Sequence, residues 1–128
     1  MSDAMSATEG VVFNALDSGI TGAPVFQDVP EDAPMPLVVL GDMKAEAAWG
    51  KNDPDRRITV TVVAMVGAEE RAPLLDLQRQ IEALLDGAQF AADGWLIALD
   101  FTDADAVLGD DGVSYLGTSN FSVLALKQ

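Results

Sequence analysis

Pro36-Leu37-Val38-Val39-Leu40-Gly41 and Ile58-Thr59-Val60-Thr61-Val62-Val63 are the two stretches that decide how this chain folds. Each is a short run of aliphatic and β-branched residues bounded by turn chemistry, which marks strands rather than helices. From Ile58 to Val66 one face carries Ile58, Val60, Val62, Ala64 and Val66, and the other carries Thr59, Thr61, Val63 and Met65. Both faces are apolar from Val62 onward, so the strand is expected to be covered on both sides, by a helix on one and by another subunit or a helix on the other. The Leu37 strand is expected to meet a bulge or a close neighbour at Gly41 and to run out through Lys44, Glu46 and Trp49. Gly50-Lys51-Asn52-Asp53-Pro54-Asp55 is turn chemistry throughout, which makes the two strands the arms of a long hairpin.

Working outward, Val11, Val12, Ala15 and Leu16 approximate one helical stripe, stopped by Gly19. The connector from Thr21 to Pro36 holds four prolines and permits little beyond an extended piece at Val25-Phe26. On the other side of the hairpin, Ala68 to Asp86 places Leu74, Leu77, Ile81, Leu84 and Leu85 on one helical stripe, with Pro73 in the first turn and Gly87 as the stop. Trp95 to Phe101 reads as a strand, and Gly109-Asp110-Asp111-Gly112 turns the chain into a final stretch, Val113 to Leu126. The order predicts one α+β domain over residues 1–128, an antiparallel sheet of about four strands with two helices packed on it.

Composition narrows the function. The hydrophobic fraction of 49% in 128 residues supports a real core. No apolar run approaches the ~18 residues of a membrane span, and the N-terminus lacks a basic region followed by an apolar one, so a soluble, non-secreted chain is expected. With 21 acidic against 7 basic residues, binding that neutralises nucleic-acid phosphates is disfavoured. The absence of Cys removes disulfides and thiol chemistry, and with His also absent it removes triads and zinc hydrolysis. Asp100, Asp103, Asp105, Asp110 and Asp111 invite a calcium or magnesium reading, but their spacing is not that of an EF-hand loop, and aspartate is an ordinary turn residue. Gly109-Asp110-Asp111-Gly112 would set carboxylates where a phosphate cradle needs amides. No catalytic, cofactor or metal residue is therefore assigned. Trp49 beside Lys51, Arg56 and Arg57 has the composition of an interface hot spot, although an indole here can also fold back over the edge of the core.

The ordered set of landmarks resembles the tail-completion, or tail terminator, proteins of long-tailed phages and gene transfer particles. The landmarks are the helix through Val11-Val12-Phe13-Asn14-Ala15-Leu16, the acidic approach Val29-Pro30-Glu31-Asp32-Ala33-Pro34-Met35-Pro36, the strand Leu37 to Gly41, the hairpin arm from Arg57 to Val62, the helix Leu77 to Leu85 closed by Asp86-Gly87, Trp95 to Phe101, the Asp110-Asp111-Gly112 turn and the closing strand through Phe121. Ala64-Met65 departs from an aromatic that relatives often carry. The resemblance implies a non-enzymatic virion protein, made in the host cytoplasm, that caps the tail tube as a homo-hexameric ring, ends tube polymerisation and offers a surface to the head-completion or connector protein.

On that reading Trp49, Lys51, Arg56 and Arg57 face the tail tube protein or a neighbouring subunit. Asp103, Asp105, Asp110 and Asp111 line a lumen through which DNA passes without specific binding. Copies carrying a net charge of −14 can associate only if basic and apolar groups occupy the seams. Two other classes stay open: an acidic module that binds a protein partner or mimics DNA, and a carboxylate hydrolase dependent on magnesium.

Overall fold

The computed structural model of the chain describes residues 3–28, 32–50, 52–67 and 69–128. Along the chain run α1 (Ala4–Gly19), β1 (Val25–Phe26), β2 (Leu37–Ala47), β3 (Arg56–Gly67), α2 (Ala72–Leu85), β4 (Gln89–Ala92), β5 (Trp95–Leu108) and β6 (Ser114–Lys127).

Asp3 starts α1: its Oδ1 accepts the Ser6 amide at 2.7 Å, and that bond, with one to the Ser6 hydroxyl, holds the carboxyl below its ordinary value of 3.8. Ala4, Ala7, Thr8, Val12 and Leu16 form its buried stripe. Within that stripe the Thr8 hydroxyl is buried and has no hydrogen-bond partner among the described residues. In α2 the buried stripe is Leu74, Leu77, Ile81 and Leu85, with Pro73 in the first turn and Gly87, at φ +74°, beyond the last. The helix starts at Ala72; Ala68 lies outside the described residues. The two helices meet where a Cβ on Gly19 would come within 2.5 Å of the Leu84 side chain, so the glycine permits the approach. Among the described residues no helix is long and apolar enough to cross a membrane.

Among the described residues the sheet has six strands, in the order β1-β2-β3-β6-β5-β4. All neighbours are antiparallel except β1, which runs parallel to β2 with Val25 beside Val38. This corrects the expectation of about four antiparallel strands. β1 is only two residues long and follows a proline, Pro24, whose carbonyl accepts the Val38 amide at 2.9 Å. β4 pairs with β5 across a two-residue Asp93-Gly94 turn with φ of +52° and +84°. A register shift between Leu40 and Met43 places the expected bulge beside Gly41.

Both helices pack on one face of the sheet. There Ile58, Val60, Val62, Ile97, Leu99, Phe121 and Val123 meet Val12 and Leu16 of α1 and Leu74, Leu77, Ile81 and Leu85 of α2. Phe121, fully buried at the centre, stands edge-on to Phe101 with centroids 5.8 Å apart. Within one chain β3 is covered on one face only: Ile58, Val60, Val62, Ala64 and Val66 are buried on the helix side, whereas Val63 and Met65, on the other face, are half-exposed with no helix over them among the described residues. Pairing also stops short at both sides of the sheet. β1 reaches only Val38 and Val39 of β2, and on β5 the pairing by β4 with the preceding Gly87 and Ala88 ends at Leu99, with Asp86 taking the Phe101 amide, so β5 beyond Phe101 and the rest of β2 form edges among the described residues.

Candidate docking surfaces

β2 and β3 carry the chain beyond the helices to a hairpin end built around Asp55. Its Oδ1 accepts the Lys127 amide at 2.7 Å, tying the loop to the end of β6, and its Oδ2 accepts the Trp49 indole N–H at 3.1 Å. The Asp55 amide in turn bonds Asp53 Oδ1 at 2.9 Å. Arg56 clamps the loop, donating to the Asp53 carbonyl at 2.6 Å and the Asp55 carbonyl at 3.0 Å. Arg57 lies over the Trp49 ring, 5.9 Å from its centroid.

Trp49 is 63% exposed, so it does not cap the core. The structure brings Trp49, Arg56 and Arg57 together as anticipated, but gives them different parts: Arg56 is spent on the loop backbone, and Trp49 with Arg57 faces outward. Lys51 lies outside the described residues. Asp55, the residue that fixes the indole, was legible only as turn chemistry in Asp53-Pro54-Asp55.

The acidic residues fall elsewhere. Asp103 and Asp105 are not in a loop; they sit within β5, paired with Asn120 and Thr118 on the face away from the helices. Alternation of Asp with Ala from Asp103 to Ala106 concealed the strand because an edge strand needs no apolar outer face. Asp103 Oδ1 accepts the Asn120 amide N–H at 2.7 Å, and Asn120 Oδ1 accepts the Thr61 hydroxyl at 2.7 Å, forming a polar belt across three strands. Asp100, opposite Ser122, extends this row. Asp110 and Asp111 occupy the β5–β6 turn, where Asp111 Oδ1 accepts the Val113 amide at 2.9 Å. Asp111 is thus a turn residue in the structure as in the sequence, and the four aspartates form two groups rather than one. Among the described residues no group of three or more carboxylates is arranged to hold a metal ion.

A third feature was not anticipated. At the end of the sheet opposite the hairpin, Met35, Pro36, Val66, Gly67 and Pro73 line an open groove of about 600 Å³ whose rim carries Glu69 and Glu70. Nothing in local sequence marks it, since its walls come from two stretches far apart in the chain, 35–36 and 66–73.

Residues 14–125 match the family model described as Tail completion protein gp17. The chain belongs to that family. This makes the tail completion protein a virion-associated structural component of a phage-type tail. Its fold is also that of a chain in a solved structure titled "Virion of native gene transfer agent (GTA) particle", with a TM-score of 0.84 at 19% identity over 98% of each chain. No curated protein sequence matches it.

Proposed function

We propose that this tail completion protein closes the end of a tail tube as a ring of identical subunits, ends tube polymerisation and presents the joining surface for the head connector. The observation that carries the reading is the exposed, immobilised Trp49–Arg57 pair at the tip of the β2–β3 hairpin. An aromatic held by Asp55 and stacked by a cation offers contact area at little entropic cost, as interface anchors do. Ring size is taken as six from the family resemblance.

In such a ring Asp103, Asp105, Asp110 and Asp111 face the lumen, where like charge keeps a DNA duplex from adhering to the wall. Reversing Asp103 and Asp105 to Lys leaves ring assembly intact and slows DNA delivery; unchanged delivery overturns the lumen assignment. The row Asp100, Asp103, Asp105 on an open sheet face is also what a DNA mimic would need. Binding to a basic partner that collapses with added salt would favour that second reading.

The test of the main reading is electron microscopy of particles made with this gene intact and deleted. Tails of uncontrolled length without heads support the terminator role. Normal joined particles in the deletion refute it.

A further inference from the structure

We infer that the groove bounded by Met35, Pro36, Val66 and Pro73 receives the Trp49–Arg57 hairpin tip of a second copy of this chain, and that this head-to-tail contact is the seam between subunits. The inference rests on the ring reading above and specifies its interface.

Three observations carry it. First, the two features are complementary. The tip presents an indole and a guanidinium, and the groove presents proline, valine and methionine walls with two carboxylates at the rim. In a chain of net charge −14, Arg57 is one of only seven basic residues, and it closes no ion pair within 4 Å among the described residues, with Glu46 opposite it across β2 and β3 as its nearest carboxylate in the ladder. Glu69 and Glu70 are exposed and likewise unpaired among those residues. Arg71, the nearest cation in sequence, is turned onto the Tyr115 ring at 5.0 Å and does not line the groove.

Second, the two features cannot meet within one molecule. They lie at opposite ends of β2 and β3, and β3 alone runs twelve residues from Arg56 to Gly67, roughly 40 Å at the rise of a strand. Only another copy can bring them together. Third, different patches on the two partners make the contact heterologous, which is the kind that generates rings. Against −14 per subunit, a seam pairing Arg57 with Glu69 and Glu70 supplies the attraction that the rest of the surface denies.

The test uses the absence of native cysteine. Gly50→Cys, where an added Cβ meets nothing within 4 Å, is combined with Glu69→Cys, leaving Trp49, Arg57 and Glu70 in place. A short bis-maleimide is then applied to purified tails carrying the protein. A ladder of covalent multimers that neither single variant gives is the expected result. Its absence, while blotting shows the protein on those tails, overturns this seam and leaves the ring reading standing. If the wild-type protein is absent from tails, both fall.

A charge exchange supplies the second arm. Arg57→Glu and Glu70→Arg each reduce joined particles to the level of the gene deletion. An equal mixture of the two restores them, because every contact in a ring of alternating copies then pairs opposite charges. Failure of the mixture to restore joining overturns the inference.

Discussion

Truncating Trp49 to Ala separates folding from docking. A tryptophan side chain buries about 250 Å² when fully covered, and Trp49 is 63% exposed, so about 160 Å² remains for a partner. At roughly 25 cal/mol per Å² the ceiling on its docking contribution is about 4 kcal/mol, and imperfect coverage brings the expectation to about 2 to 4 kcal/mol. That is a loss of roughly 30- to 700-fold in affinity. Immobilisation subtracts little, because Asp55 already holds the indole N–H. In the free subunit the same truncation gives up the covered third of the ring, one exposed hydrogen bond and the exposed stacking of Arg57, leaving the core residues untouched. The assay adds purified subunit to unjoined tails from a gene deletion and scores closed tails by electron microscopy against subunit concentration, with a thermal unfolding curve as the control for folding. The reasoning is refuted if the half-maximal concentration of Trp49→Ala stays within about threefold of wild type.

Other outcomes follow from the core and the helix caps. Phe121→Ala removes a fully buried ring and its edge contact with Phe101, and is expected to cost about 3 to 5 kcal/mol in denaturant unfolding. Thr8→Val exchanges a buried, unsatisfied hydroxyl for a methyl of the same shape and is expected to stabilise by about 1 kcal/mol; a fall in the unfolding midpoint would show that the hydroxyl has a partner. Asp3 has its carboxyl pKa depressed in the folded state, so its cap supports α1 above 3.8 and is lost as pH falls through the folded value. The Ser6 amide shift should therefore titrate with a midpoint below 3.8, and a midpoint above it counts against the cap.

Much of the fold was legible because burial imposes period. The stripe through Leu74, Leu77 and Ile81 and the alternation from Ile58 to Val66 are both dictated by one buried face, and both appear as read. What was hidden lacked such a face. β1 is too short to show a period, and β5 beyond Phe101 is an edge whose outer residues need not be apolar. The Asp93-Gly94 turn, a strong hairpin signal, would have revealed β4. At the hairpin, the sequence left Trp49 as either an interface anchor beside the arginines or a cap on the core edge, and the part played by Asp55 depends on Lys127, far away in sequence. The groove depends on segments as distant as Met35 and Pro73 and has no local signature at all.

The strand order has a consequence for how the subunit comes into being. β6 occupies the middle of the sheet, between β3 and β5, yet it is the last of the elements to be translated. Until it emerges from the ribosome, the half made of β1, β2 and β3 and the half made of β4 and β5 share no strand pairing, and Phe121 has not yet joined the centre of the core. Closing β3 against β6 brings together residues as far apart as Arg56 and Ala125, the kind of long-range pairing that slows folding. A nascent chain can therefore expose the hairpin tip before it owns a finished sheet, and competence for assembly arrives late and all at once.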